Sequence, residues 1–172
     1  MFPTLIPNPG GLVYNLRSDG RMSFSDIIGQ GRIKRILGKA LERGRLPNSL
    51  LLAGPPGVGK IDTALVTAKA LNCLSTDRPT PKPCSKCESC LAVAEGEDVD
   101  VVEIDAASNT GVDNIRELRE MAKLAPGEGH NRVFVIDEVH MLSKGAFNAL
   151  LKILEEPPAR VYFCFATTEP NK

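Results

Sequence analysis

Ser49-Leu50-Leu51-Leu52-Ala53-Gly54-Pro55-Pro56-Gly57-Val58-Gly59-Lys60-Ile61 is the stretch on which the fold turns. Its first five residues form a short apolar run bounded by turn residues, which predicts a strand buried on both faces. A glycine-rich loop follows, and then Ala64, Leu65, Ala68 and Leu71 mark a helix. Strand, glycine loop and helix in that order are the setting a phosphate-binding loop requires. Glycines let backbone N–H groups turn inward around phosphate oxygens, and a helix N-terminus adds positive potential. Lys60 is then placed to reach the β and γ phosphates of ATP. Gly54, Pro55, Pro56, Gly57, Val58, Gly59, Lys60 and Ile61 are the candidate nucleotide contacts. The bland alternative, a glycine-rich turn with a surface lysine, fits the flanking elements poorly.

One position departs from the motif. After Gly-Lys it requires Ser or Thr, whose hydroxyl coordinates Mg²⁺. Ile61 stands there and offers the ion nothing, while Thr63 projects elsewhere on the helix. Nucleotide binding through the backbone and Lys60 is expected to persist, and Mg²⁺-dependent hydrolysis to suffer.

Downstream, Val101-Val102-Glu103-Ile104 predicts a second strand, and residues 113–123, with Ile115, Leu118 and Ala122 on one face, a helix. Arg132-Val133-Phe134-Val135-Ile136 predicts a buried strand ending in Asp137-Glu138. Ser143 caps a helix with Ala146, Phe147, Leu150, Ile153 and Leu154 on its apolar face, stopped by Pro157-Pro158. Val161-Tyr162-Phe163-Cys164-Phe165 predicts a fourth strand. Strands alternating with helices at this spacing predict an α/β domain with a parallel sheet.

In open α/β sheets, ligand sites gather at the carboxyl ends of the strands. Asp137 is therefore a candidate for the Mg²⁺ shell and Glu138 for polarising an attacking water. An acidic pair after a strand is a weak signal alone and gains weight from the loop at Gly54. Thr167 and Thr168 either sense the γ-phosphate by hydrogen bond or end the strand in a turn; His140 reads as a structural or surface histidine.

Upstream, residues 1–22 are rich in Pro and Gly and read as an irregular leader to a domain over residues 23–172. From Gly31, the residues Ile33, Ile36, Leu37, Ala40 and Leu41 predict an amphipathic helix whose other face is basic.

Cys73, Cys84, Cys87 and Cys90 offer four thiolates within an inserted module over residues 73–90. Four thiolates match the closed tetrahedral shell of a structural Zn²⁺. The module's Pro79, Pro81 and Pro83 preclude regular structure, so metal ligation is expected to supply its folding energy. An iron–sulfur cluster is the main rival, without the Cys-Pro continuation of the bacterial ferredoxin run. Cys164 reads as a small apolar core residue.

Composition sets the outer limits. With 172 residues the chain has room for one domain, and 24% charged and 42% apolar residues describe an ordinary globular one. The 21 basic and 21 acidic side chains balance, so bulk charge gives no reason for tight nucleic-acid binding. A basic run over residues 32–45 and an acidic one over 95–105 read as solvated faces, or else as docking faces. No apolar run approaches the ~20 residues of a membrane span, and no signal peptide is evident. Clustered cysteines then point to metal in a reducing, cytoplasmic setting.

Several stretches together resemble the gamma/tau subunit family of bacterial DNA polymerase III. They are Phe24-Ser25-Asp26-Ile27-Ile28-Gly29-Gln30, the loop at residues 54–60, the cysteine module, and Glu103-Ile104-Asp105-Ala106-Ala107-Ser108. Asp137-Glu138-Val139-His140-Met141-Leu142-Ser143, Asn148-Ala149-Leu150-Leu151-Lys152, Leu154-Glu155-Glu156-Pro157-Pro158 and Ala166-Thr167-Thr168-Glu169-Pro170 complete the match, over roughly residues 24–172.

The resemblance implies an AAA+ ATPase that works in a ring with other clamp-loader subunits. Such a ring opens a sliding clamp on ATP binding and releases it on primed DNA, as part of a DNA-directed DNA polymerase holoenzyme. Asp137 and Glu138 would be its Walker B acids, Thr168 or its neighbour the sensor, and the four cysteines a zinc site. Ile28, Gly29 and Gln30 would lie near the adenine. Nothing in the chain resembles a polymerase active site. Ile61 departs from the family pattern, as do residues 1–22, and the chain stops at Lys172, before the family's Ser-Arg-Cys segment, lid and collar. A fragment lacking the last strand is implied, with residues 50–52 as an unpaired apolar edge.

Three other readings compete. Ile61 favours a delta-prime-like partner subunit that does not hydrolyse ATP. A zinc-stabilised interaction module, and a small-molecule kinase on the same loop, are the others.

Overall fold

Each apolar run marked as a strand becomes one in the computed structural model, which describes residues 6–8, 11–13, 22–127 and 130–171. The strands are β1 (Ile6–Asn8), β2 (Gly11–Val13), β3 (Ser49–Ala53), β4 (Val101–Asp105), β5 (Arg132–Asp137) and β6 (Val161–Thr167). The helices are α1 (Gly31–Glu42), α2 (Lys60–Asn72), α3 (Glu88–Glu95), α4 (Val112–Lys123) and α5 (Lys144–Glu155). The chain folds into two compact units: residues up to Leu46 with Gly57–Asp98, and Pro47–Pro56 with Val99–Lys172.

The second unit contains a four-stranded parallel sheet in the order β3-β6-β5-β4. Its centre is β5, where Val133, Phe134, Val135 and Ile136 are buried, as an apolar run without alternation requires. Phe134 and Phe163 are register partners with rings 5.3 Å apart, and Phe165 stacks on Phe163 at 6.1 Å. Each such aromatic pair adds about 0.5–1.5 kcal/mol beyond its area burial. These rings pack with Ile115 and Leu118 of α4 and with Ala146, Leu150 and Ile153 of α5.

Two side chains anchor the ends of this unit. The Ser143 hydroxyl accepts the Ala146 N–H at 3.2 Å, which starts α5 at the residue expected to cap it. Asp100 is buried and accepts from Arg132 Nη2 at 2.7 Å, Arg132 Nε at 3.2 Å and the Gly127 N–H at 3.0 Å. A buried carboxylate with this many partners offsets its desolvation.

The strand at Ser49 departs from expectation. It pairs with β6 alone and is the edge of the sheet, and Leu51 is 60% exposed. Its exposure alternates, with Ser49, Leu51 and Ala53 of one face exposed and Leu50 and Leu52 of the other half-buried, so among the described residues one face lacks a covering layer. The edge position agrees with what the resemblance implied.

In the first unit, α1 buries Leu37 and Leu41, but Ile33 and Ile36 of its expected core face are exposed. α2 is buried from Thr63 to Asn72. α3 corrects the expected irregularity of the cysteine module, because Cys90 lies within its first turn. The helix buries Cys90, Val93 and Ala94 and ends at Gly96 in the left-handed conformation, φ 76°.

Met22, expected to close the irregular leader, has no exposed surface, and Phe24 and Ile27 are buried after it. Where that leader was expected, β1 and β2 pair antiparallel; the rest of residues 1–21 lie outside the described residues. No helix among the described residues is long and apolar enough to cross a membrane.

Candidate functional site

The carboxyl ends of three strands carry the acidic candidates. Register pairs Asp105 with Asp137 and Ala53 with Thr167, so these residues share one edge of the sheet. The Gly54 N–H donates to the Thr167 carbonyl at 3.2 Å, so the glycine loop leaves the sheet from that same edge.

Glu138 follows β5 at φ 45° and ψ 48°, a left-handed conformation that a non-glycine residue adopts at a cost of order 1–3 kcal/mol. Its bonds hold it there. The Glu138 N–H donates to Asp137 Oδ1 at 2.8 Å. Its carboxylate Oε2 accepts the Thr168 N–H at 3.1 Å and the Thr168 hydroxyl at 2.9 Å. Of the two candidate threonines, Thr168 is thus the one that reaches Glu138. The Thr167 hydroxyl accepts the Glu169 N–H at 3.0 Å and lies 3.0 Å from His140 Nδ1.

His140 is half-buried, with Nδ1 3.2 Å from Glu138 Oε2 and Nε2 3.6 Å from Glu169 Oε1. The place of this histidine against Glu138 has no sequence signal. Asp105 joins the edge as well. Its carboxylate accepts the Ser108 hydroxyl at 2.6 Å and the Ala107 N–H at 2.9 Å, and the first of these chiefly holds it below the usual carboxylate range.

Gly57 to Lys60 belong to the first unit. Gly57 and Gly59 adopt φ 77° and 83°, where a side chain is strained, and Gly59 caps α2. A Cβ at Gly59 would also sit 3.3 Å from the Ile27 side chain. Lys60 opens α2 and Ile61 follows it, half-buried. Thr63 cannot replace the missing hydroxyl: it is buried and donates to the Gly59 carbonyl at 2.6 Å. Ile28 is 87% exposed, and Gly29 and Gln30 form a left-handed turn ahead of α1.

The four module cysteines do meet. The Sγ atoms of Cys73, Cys84, Cys87 and Cys90 all lie within 4.8 Å of one another. A tetrahedral zinc with bonds of ~2.3 Å has sulfurs about 3.8 Å apart, a spacing this cluster is near. The Cys84 N–H donates to Cys73 Sγ and the Cys87 N–H to Cys84 Sγ, each at 3.3 Å. The Cys84 thiol falls to about 6, chiefly because the Lys86 N–H stabilises the thiolate. At Cys73, burial pushes the thiol up, and the Ser75 hydroxyl and the Cys84 N–H outweigh it. Burial pushes Cys90 up. Cys164 lies apart in β6, buried and pushed up to about 12, as a core residue.

Comparison with known proteins identifies the family. A family model described as DNA polymerase III, delta subunit, matches residues 29–172. The chain is 49% identical over 149 residues to DNA polymerase III subunit tau of Bacillus subtilis (strain 168), covering 87% of this chain and 26% of that protein. Against subunit tau of Escherichia coli (strain K12) it is 45% identical over 150 residues, covering 87% and 23%. The chain therefore spans 23–26% of the length of these relatives.

Among solved structures, the RuvB Holliday junction branch migration motor of Thermotoga maritima superposes with a TM-score of 0.52 at 22% identity, covering 86% of this chain and 40% of that one. The FIGL-1 AAA domain in complex with ADP does so with 0.50 at 21%, covering 87% and 50%. These likenesses show an AAA+ fold: a parallel sheet flanked by helices. With the family model covering most of its length, the chain belongs to the DNA polymerase III delta-subunit family, and within it is similar to the gamma/tau subunits.

Proposed function

We propose that this chain is the nucleotide-binding part of a clamp-loader subunit, which uses ATP to open a sliding clamp and set it on primed DNA alongside partner subunits. The observation that carries the reading is the Glu138 carboxylate, held by Thr168 at the sheet edge from which the glycine loop departs. A general base must be fixed near the γ-phosphate and tied to a group that senses it.

In this reading the backbone of residues 54–60 and Lys60 hold the phosphates, and the exposed Ile28 offers apolar surface to the purine. Glu138 orients a water whose oxygen bonds to the γ-phosphorus. The bond to the β–γ bridging oxygen breaks, ADP leaves, and Glu138 accepts the proton. Mg²⁺ would neutralise charge on the phosphates, and Asp137 is the residue suited to its shell. Ile61 fits that ion poorly, so nucleotide binding is expected to exceed hydrolysis.

A structural zinc belongs to the same reading. Four mutually close sulfurs, one of them readily ionised, form a donor set that Zn²⁺ prefers. Zinc would order a segment that has few apolar side chains of its own.

The experiment is fluorescent ATP binding with and without Mg²⁺, beside steady-state turnover, for the wild type, Lys60→Ala and Ile61→Thr. Binding by the wild type, its loss in Lys60→Ala and a rise in Mg²⁺-dependent turnover in Ile61→Thr are expected. No binding by the wild type would end the motor reading. Binding with equal turnover in wild type and Ile61→Thr would favour a delta-prime-like, non-hydrolysing role, to which Ile61 already points.

A further inference from the structure

Glu138 and His140 are two residues apart, a spacing at which side chains on a helix face away from each other. Here they meet. Glu138 is in the left-handed region, and the single 3₁₀ turn Val139–Met141 follows it, closed by the Met141 N–H on the Glu138 carbonyl at 2.8 Å. That turn folds the imidazole back, so Nδ1 lies 3.2 Å from Glu138 Oε2 and 3.0 Å from the Thr167 hydroxyl. Only 8% of the His140 side chain is exposed, so water cannot easily take over these contacts.

The contacts converge on one oxygen. Glu138 Oε2 accepts the Thr168 N–H and hydroxyl and faces His140 Nδ1, whereas Oε1 takes no hydrogen bond among the described residues. An unprotonated Nδ1 would set its lone pair against those of the carboxylate at 3.2 Å. The ring proton therefore belongs on Nδ1, which then donates toward both Oε2 and the Thr167 hydroxyl oxygen. A glutamate side chain has three rotatable bonds and explores several rotamers unless its carboxylate is held. Three donors on one oxygen hold it and leave the other to a water.

We infer that His140 is a positioning residue for Glu138: its Nδ1–H, braced against Thr167 at the end of β6, locks one carboxylate oxygen so that the other faces the water Glu138 orients. The inference rests on the motor reading proposed above. It ties the general base to both threonines that end β6, to Thr168 directly and to Thr167 through the imidazole.

The test compares His140, His140→Asn, His140→Leu and His140→Gln in the full chain, each with Ile61 and with Ile61→Thr. Fluorescent ATP binding, single-turnover hydrolysis with Mg²⁺ and melting temperature are measured. The imidazole nitrogen NMR shifts of the wild type report which ring nitrogen holds the proton. Asn places an amide donor where Nδ1 stands; Leu removes the donor, and Gln carries it too far along the side chain. His140→Leu and His140→Gln are expected to keep ATP affinity and to slow hydrolysis about 10–100-fold, the cost of a displaced catalytic group. His140→Asn should recover most of that loss, and the wild-type proton should sit on Nδ1.

A histidine that only supports the fold would lower melting temperature and affinity along with the rate, and Asn would not rescue it. His140→Gln carries the same readings should His140→Leu not fold. Equal hydrolysis in all variants, a loss that Asn does not recover, or a proton on Nε2 alone overturns the inference and leaves the motor reading standing. No ATP binding by the wild type, or no hydrolysis even with Ile61→Thr, overturns the motor reading and the inference with it.

Discussion

The β5–β6 ladder and the cysteine segment reach order by opposite means. Around Phe134 and Phe163, order comes from apolar side chains stacked across register partners and covered by α4 and α5. Between Cys73 and Cys90, three prolines and a run of polar residues leave little apolar surface, and four mutually close sulfurs stand in its place. The first region is ordered by its own packing. On the zinc reading proposed above, the second is tied to one ion and to the protonation of its ligands. A chain can therefore gain a structured insertion without enlarging its core, at the cost of making it conditional.

The sharpest way to break this contrast is to strip the metal. Chelation of the zinc-loaded chain, or Cys90→Ser, removes an apparent stabilisation on the order of 10 kcal/mol from the segment. Amide exchange should then lose protection over residues 73–95 and keep it over 132–137 and 161–167. Persistent protection in the cysteine segment would show that packing, not metal, orders it.

Phe163→Ala attacks the other side. It removes a ring with no exposed surface and should cost about 3–5 kcal/mol in denaturant unfolding, with zinc content unchanged. Zinc lost in proportion would mean the two regions are energetically one.

Ser143→Ala is milder. It deletes the acceptor for the Ala146 N–H and should cost about 1 kcal/mol, read from the same unfolding curves. An unchanged midpoint would show that the first turn of α5 is held by its packing alone.

The smallest effect is a titration. Ser108→Ala should raise the Asp105 pKa toward the ordinary carboxylate value, because the Ser108 hydroxyl is the chief cause of its depression. Asp105 is depressed in the folded state, so its contribution is present above the unfolded pKa and lost as pH falls through the folded one. Its exposure keeps that contribution small, and an NMR titration of Asp105 reads it directly. No movement of the pKa would assign the depression to the Ala107 N–H.

Much of this was legible in residue order. The strands at β4, β5 and β6 and the helices α1, α4 and α5 announce themselves by period and cap, because those signals lie within a dozen residues of one another. Ser143 shows it plainly, capping where its position beside an apolar period required. The cysteine spacing was read correctly as a cluster, since three of the four thiols fall within seven residues.

Other features left little trace. α3 was hidden because prolines before it dominate the local signal and its own eight residues show no strong period. The pairing of Glu138 with Thr168 joins residues 30 apart, and the place of His140 between Glu138 and Thr167 depends on two strands lying side by side.

Sequence by itself determined the glycine loop, the acidic pair, the thiol quartet and the alternation of strands and helices, because each is a matter of local geometry or of side-chain chemistry at short spacing. Tertiary structure alone decided the order β3-β6-β5-β4, and with it that the apolar strand before the loop is an edge with Leu51 exposed. It also decided that Lys69, an ordinary helix residue in one dimension, lies wholly buried. Those outcomes rest on which surfaces meet, and no run of neighbouring residues encodes a meeting between segments far apart in the chain.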